Sequence, residues 1–226
     1  MLTWVKTADG SNTLFNSEIG EHYHSRHGAL QESHHVFLNS GLKYYLAQSQ
    51  ATDIKILEVG FGTGLNFLLS AHFCTENNIR LDYTGIEAYP LTHKMITETG
   101  YGDYIPDEIW MNFILKYQEA LTQEVSINHG CNLFIAKDKL LDFSTQIRYD
   151  ILYFDAFAAI HQPEMWEQET LSHAAALLKP GGLFVTYAIT GNLKRTMKSL
   201  NFSVEKAPGA EGKREMLRAV KFLTRY

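Results

Sequence analysis

Asp53-Ile54-Lys55-Ile56-Leu57-Glu58-Val59-Gly60-Phe61-Gly62-Thr63-Gly64 is a short apolar run that ends in three alternating glycines, and residues 65–73 resume as an apolar helix. A strand that feeds a glycine turn and then a helix is the opening unit of an open α/β sheet. Glycines in such a turn reach positive φ and let the backbone approach a ligand, while the first N–H groups of the helix remain free for it. A dinucleotide fingerprint would have its third glycine at the sixth position, but that position is Leu65, and the third glycine stands at the fifth.

The acid before the glycines sharpens the reading. Glu58 would repel a pyrophosphate but suits a ligand bearing positive charge. NAD is therefore disfavoured and S-adenosylmethionine fits, with Glu58, Gly60, Phe61, Gly62 and Gly64 as its candidate loop. Outward from the loop, residues 80–87 read as a second strand closed by Glu87, placed to accept both ribose hydroxyls. Residues 132–136 read as a third strand, with Asp138 just beyond it as a candidate contact to the adenine amino group. Residues 149–155 read as a fourth strand closed by Asp155. The aromatic Phe157 follows, able to hold a planar base. Asp155 falls beside the reactive end of the cofactor in such a fold, which makes it the candidate catalytic residue.

Residues 183–188 read as a fifth strand. The helix before it, at about 164–178, is expected to stop at Lys179-Pro180-Gly181-Gly182. Residues 202–206 and 215–223 are two late strands joined without room for a helix, so they should pair antiparallel. Ahead of the core, residues 1–23 read as a hairpin turning at Asp9-Gly10-Ser11-Asn12, followed by a helix over 34–45. The expected fold is α/β and Rossmann-like: a seven-stranded, mostly parallel sheet with an antiparallel last strand and a small N-terminal β-hairpin and helix extension. No repeat or linker divides the chain, so one domain is expected, with residues 1–50 as the extension and 51–226 as the core.

Composition excludes other classes. The chain has 226 residues, 45% hydrophobic and 20% charged, which suits a globular protein and excludes disorder and fibrous repeats. Neither a secretory leader nor an apolar run long enough for a membrane span is legible, which predicts a cytoplasmic protein. Cys74 and Cys131 form no CxxC, so neither a thiol zinc site nor a redox pair is expected. Five of the ten histidines fall between His22 and His35, but without a recognised ligand spacing, and no metal is expected. The net charge of −5 hides a segregation: from Asn192 onward nine basic residues (Lys194, Arg195, Lys198, Lys206, Lys213, Arg214, Arg218, Lys221, Arg225) face three acids. Such a segment can build a positive face for a polyanion.

Several motifs together point further. Asp9-Gly10-Ser11-Asn12-Thr13-Leu14, Glu21-His22-Tyr23-His24-Ser25-Arg26-His27-Gly28-Ala29 with Gln31-Glu32-Ser33 and Val36-Phe37, Asp155-Ala156-Phe157 with Pro163-Glu164-Met165-Trp166, and Gly212-Lys213-Arg214-Glu215-Met216 run through nearly the whole chain. In these the chain resembles the tRNA 5-aminomethyl-2-thiouridine methyltransferases of the MnmD type, similar to the methyltransferase half of bifunctional MnmC enzymes. The resemblance implies the class I S-adenosylmethionine-dependent methyltransferase fold. It also implies N-methylation of the aminomethyl group on the wobble uridine, with the tRNA anticodon stem-loop as partner. The chain departs from the family at Ala159, where proline is usual, and its length leaves no room for the flavin oxidase half. The aminomethyl substrate is then expected to come by another route.

Within this reading Tyr23 and Gln31 are expected to face the substrate base and the cofactor, and Lys213 and Arg214 to contact the tRNA backbone, with Lys194 and Arg195 as secondary contacts. An amine titrates near 10.4 and an ordinary aspartate near 3.9, so Asp155 is expected to act as a hydrogen-bond acceptor that orients the amine, unless its surroundings raise its pKa by several units. Two other classes stay open on the residues. A small-molecule amine methyltransferase or aminopropyltransferase would share the loop and Asp155, and a catalytically silent RNA-binding module would keep only the basic segment.

Overall fold

Strands β4 (Asp53–Val59), β5 (Arg80–Ile86), β7 (Cys131–Ala136), β8 (Tyr149–Phe154) and β9 (Leu178–Thr186) lie parallel at the centre of the molecule in the computed structural model, which describes residues 1–223. Arg225 of the basic segment lies outside the described residues. Three further strands complete the sheet: β6 (Val125–Asn128), β10 (Phe202–Pro208) and β11 (Glu215–Lys221), in the order β10-β11-β9-β8-β4-β5-β7-β6. As expected, β10 and β11 pair antiparallel, and β11 also runs antiparallel to β9.

The sheet carries the seven expected strands and an eighth. β6 is a four-residue edge strand that turns back at Gly130 (φ +137°) to pair antiparallel with β7. A segment this short shows too little alternation to be told from the end of a helix.

Alternation of side chains across the sheet makes two cores. Ile54, Ile56, Tyr83 and Tyr153 face helices α3 (Leu65–Glu76) and α5 (Asp107–Ala120), whereas Leu57, Val59, Leu152 and Phe154 face α6 (Gln168–Ala176) and α7 (Gly191–Ser199). All six residues of β8 are buried. Burial on both faces is why these strands read as continuous apolar runs. The chain proceeds from β4 to one side through β5 and β7, and to the other through β8 and β9. The crevice at the carboxyl ends of β4 and β8 is therefore the switch point where ligands gather.

The N-terminal extension is larger than the expected hairpin and helix. Strands β1 (Leu2–Lys6), β2 (Asn12–Asn16) and β3 (Glu21–His22) form a separate antiparallel sheet. Three helical segments follow without a break: α1 (Ala29–Ser33), a π-wound segment His34–Lys43, and α2 (Tyr44–Ser49). The π segment packs on the sheet through Gly41, where a Cβ would come within 2.9 Å of the Tyr153 ring. The shorter helix α4 (His93–Thr97) precedes α5. At the other end of the core, α6 stops before Lys179-Pro180-Gly181-Gly182, which forms a bulge within β9 and not a loop after the helix. Lys179 Nζ there meets the buried carboxylate of Asp150 at 2.7 Å.

Candidate active site

The loop after β4 takes the backbone its glycines permit. Gly60, Gly62 and Gly64 have φ of +85°, +51° and +79°, and a Cβ on Gly60 would lie 2.4 Å from the Asp155 carbonyl oxygen. The Gly60 and Phe61 N–H groups both donate to the Ile86 carbonyl at 3.0 and 3.2 Å, tying the loop to the end of β5. Gly62 N–H and Tyr89 N–H donate to the two oxygens of Glu87, each at 3.0 Å, and burial raises the pKa of that carboxyl. Phe61 enters the loop by its backbone alone. Its ring turns into the core beside Phe67, Tyr83 and Phe113, over Gly85, where a Cβ would come within 2.3 Å of it. Asp138 stands exposed in the turn after β7.

Beneath the loop lies a chain of buried polar groups. Glu58 is fully buried and accepts from Asn66 Nδ2 at 2.7 Å and from the Tyr83 hydroxyl at 2.8 Å. Asn66 Nδ2 also donates to Asp155 Oδ2 at 2.9 Å, so one amide joins the two acids. Burial, with the neighbouring charge of Asp155, holds the Glu58 carboxyl well above the ordinary range. Glu58 thus underpins the loop from inside, where the sequence alone suggested an acid open to a cationic ligand. Asn66 Oδ1 is buried and has no hydrogen-bond partner among the described residues.

Asp155 follows β8, its N–H donating to the Val59 carbonyl at 2.9 Å. Burial, then the nearby Glu32 carboxylate, push its pKa up to about 8, against the pull of Asn66 and Lys213; Glu21 adds a smaller upward push. Its side chain opens on a cavity of about 210 Å³ walled by Glu21, Tyr23, Glu32, Phe157, Tyr187 and Lys213, among others. The Tyr23 and Phe157 rings meet edge to face at 5.3 Å, and Tyr23 also covers Gly62, where a Cβ would come within 3.0 Å of its ring. Glu21 accepts the Ala158 N–H at 2.8 Å, and the Phe157 carbonyl accepts Trp166 Nε1–H at 2.7 Å, which holds the loop after β8 in place.

The histidine-rich segment is the roof of this cavity. His24 Nε2 meets the Thr63 hydroxyl of the glycine loop at 2.9 Å, and burial lowers its pKa to about 4, so the ring is neutral. His35 bonds the Pro208 carbonyl, and His27 packs against Gly212. The extension therefore bridges the glycine loop and the loop between β10 and β11.

Of the residues singled out from sequence, Asp155, Tyr23, Phe157 and Lys213 come together in the cavity, and the glycines and Glu87 adjoin it. Gln31 does not join them: it is exposed, and its amide donates to Glu211 at 3.1 Å. Arg214 is exposed beside Lys213. Lys213 itself turns inward to Glu32. Elsewhere in the basic segment, Lys206 pairs with Glu215, Arg218 with Glu205, and Lys221 Nζ donates to two carbonyls. Lys194, Arg195, Lys198 and Arg214 make no ion pair among the described residues.

Asn66, Glu21, Glu32 and Tyr187 escaped the sequence reading. Asn66 lies two residues beyond Gly64 in the first turn of α3, and Tyr187 just past the end of β9, so position relative to strand ends could have found both. Glu21 and Glu32 lie within the motifs of the resemblance, but nothing local gives them a role, and they reach the site only through the fold of the extension.

A family model described as S-adenosyl-L-methionine-dependent methyltransferase matches residues 107–222. The tRNA 5-methylaminomethyl-2-thiouridine biosynthesis bifunctional protein MnmC of Leptospira borgpetersenii is 29% identical over 228 residues, covering 96% of this chain and 34% of that protein. The protein of the same description from Chromobacterium violaceum is 32% identical over 210 residues, covering 88% and 32%. The chain thus spans about a third of the length of these curated relatives. Among solved structures, MNMC2 from Aquifex aeolicus matches with a TM-score of 0.79 at 23% identity, over 100% of this chain and 72% of that one. Magnesium protoporphyrin IX methyltransferase from Synechocystis PCC 6803 matches at 0.51 and 14% identity, over 87% and 84%. Both likenesses are of fold.

Proposed function

The chain belongs to a family of S-adenosyl-L-methionine-dependent methyltransferases, and from that premise we propose that it methylates the aminomethyl nitrogen of 5-aminomethyl-2-thiouridine at the tRNA wobble position, giving 5-methylaminomethyl-2-thiouridine. The observation that carries this reading is the position of Asp155, with its backbone against the glycine loop and its carboxyl on an acidic, aromatic cavity. The relatives' role in 5-methylaminomethyl-2-thiouridine biosynthesis supports the choice of substrate.

The residues fit the cofactor. The glycine cradle has no space for side chains at Gly60, and Asn66 Oδ1 is a buried acceptor that still needs a donor. Glu87 would hold the ribose, Gly60 to Gly64 the methionine end, and Asp138 the adenine amino group. When bound, the cofactor supplies an electrophilic sulfonium methyl.

The chain's own groups do the rest. The carboxyls of Glu21 and Glu32, and of Asp155 once it ionises, favour an arriving ammonium, and the Tyr23 and Phe157 rings offer flat faces to a splayed-out base. An aspartate at about 8 lies within a few units of an amine at about 10.4. Asp155 can therefore accept the amine proton as well as orient its lone pair, a stronger role than an unperturbed aspartate could fill. Arg214, Lys194 and Arg195 would meet tRNA phosphates. Such a substrate belongs to the cytoplasm, and no helix among the described residues is long and apolar enough to cross a membrane.

The test is incubation of the purified chain with methyl-labelled S-adenosylmethionine and three acceptors: hypomodified tRNA, tRNA with the modification complete, and free polyamines. Label entering only the hypomodified tRNA supports the proposal. Label entering polyamines, or none of the three, refutes it.

A further inference from the structure

Lys213 is one of nine basic residues in a segment suited to a polyanion, yet its ammonium is already engaged within the protein, although the side chain stays 37% exposed. Its Nζ lies 2.9 Å from Glu32 Oε1 and 3.8 Å from the centre of the Tyr187 ring, inside the cavity that Asp155 opens on. Both partners are fixed. Glu32 is 6% exposed, and its other oxygen accepts the Ser25 N–H at 2.7 Å. The Tyr187 hydroxyl donates to the Ala156 carbonyl at 2.9 Å.

The loop that carries Lys213 is built to aim it. Gly212 has φ of +82° and packs on His27, where a Cβ would come within 2.7 Å of the ring. Lys213 N–H donates to the Ala210 carbonyl at 2.8 Å and Gly209 N–H to the Arg214 carbonyl at 3.2 Å. Adjacent side chains thereby differ: Lys213 meets Glu32 at the mouth of the cavity, and Arg214 makes no ion pair among the described residues. Drawing Lys213 out to a phosphate would leave the buried Glu32 carboxylate without its partner, a costly state. It would also give up the cation's seat on an aromatic face.

We propose that Lys213 is a resident cation of the acceptor-amine pocket, a positioning residue that favours the charged form of Asp155 and the neutral form of the incoming amine, and not a contact to a tRNA phosphate. The inference rests on the reading that an amine is methylated in this cavity. A fixed positive charge disfavours the protonated form of an amine beside it and favours the charged form of a carboxyl. Amine methylation needs both, since only a neutral amine has the lone pair that attacks. The groups facing Asp155 set the balance. Asn66 joins it from below to the buried Glu58, and Glu21 and Glu32 face it from the extension. Tyr187, which burial keeps protonated, faces it from just past the end of β9, and His22 and Arg26 line the same cavity. Among these Lys213 lowers the pKa of Asp155 and Glu32 raises it.

Removing either member of the ion pair should therefore move Asp155 in opposite directions. The experiment follows the Asp155 carboxyl carbon by ¹³C NMR through a pH titration of the full chain, with the resonance assigned by its loss in Asp155→Asn. Lys213→Met should raise the midpoint by about one unit, and Glu32→Gln should lower it by about one. Lys213→Arg should restore the wild-type value. The acid limb of the methylation rate should move with the NMR midpoint. The salt dependence of tRNA binding should keep its slope in Lys213→Met, whereas a lost phosphate contact lowers the slope by about one. Should Lys213→Met fail to fold with Glu32 unpaired, the downward shift in Glu32→Gln carries the test alone, because glutamine can still accept the Ser25 N–H.

Midpoints that stay put or move the same way, or a slope reduced by about one, overturn the proposal. A wild-type protein that leaves tRNA unmethylated yet shows both shifts refutes the tRNA reading and supports this one. A protein that methylates tRNA without the shifts does the reverse.

Discussion

Replacing Asp155 with Asn should slow methyl transfer by roughly 10²- to 10⁴-fold and at the same time make the protein harder to unfold at neutral and alkaline pH. The carboxyl titrates at about 8 in the folded chain, against 3.8 for an unperturbed aspartate. Between those values the native state holds a proton that the unfolded state has lost, so wild-type stability falls as pH rises from about 4 to about 8 and levels above it. The Asp155→Asn variant carries no such penalty, and its new amide oxygen can still accept from Asn66. Each unit of displacement corresponds to about 1.4 kcal/mol. Because the carboxyl opens on a cavity that admits solvent, the sum must be discounted, which leaves about 2 kcal/mol of stabilisation at pH 8 and above. Urea unfolding of both proteins at pH 5, 6.5, 8 and 9 measures the difference, which should be smallest at pH 5 and constant from pH 8 to 9. Calorimetric titration with S-adenosylmethionine should show its Kd changed by less than about threefold, since the interaction removed serves the amine. A difference independent of pH, one that grows on acidification, or a kcat loss matched by an equal loss of cofactor affinity would refute the reasoning.

Three other perturbations probe the parts around Asp155. Gly60→Ala should cost S-adenosylmethionine affinity at least about tenfold and lower Tm, because it combines a positive φ with a Cβ 2.4 Å from the Asp155 carbonyl oxygen; calorimetry and thermal unfolding read both, and a variant that binds normally contradicts the proposed cradle. Glu87→Ala should raise the cofactor Kd by roughly tenfold or more, through loss of the ribose acceptor and of the Gly62 anchor, while kcat at saturating cofactor changes little. Equilibrium binding and initial rates separate the two effects, and a kcat loss with unchanged Kd would remove Glu87 from the cofactor site. The double change Arg195→Ala and Arg214→Ala should weaken tRNA binding and reduce its salt slope by about two, measured by filter binding across a salt series; an unchanged slope would locate the tRNA surface elsewhere.

What the sequence determined by itself is the frame of the fold and the position of its crevice. The apolar runs of β4, β5, β8 and β9, the glycine spacing after Val59, and the acids Glu87 and Asp155 at strand ends are local patterns, and local patterns survive in one dimension because backbone geometry imposes them. Even there the short edge strand β6 was hidden, and the helix read over 34–45 gave no sign of its π winding, since neither has a period that distinguishes it. Only the tertiary structure decided what the charged residues do. Glu58 became an inner support of the loop, its pKa raised, because the sheet buries it against Tyr83 and Asn66. Lys213 and Arg214, adjacent and alike in sequence, parted because Glu32, 181 positions away, is folded onto one of them. The charge state and strength of an ionisable group depend on the dielectric and the charges around it, and those are supplied by segments that the chain brings together only when it folds.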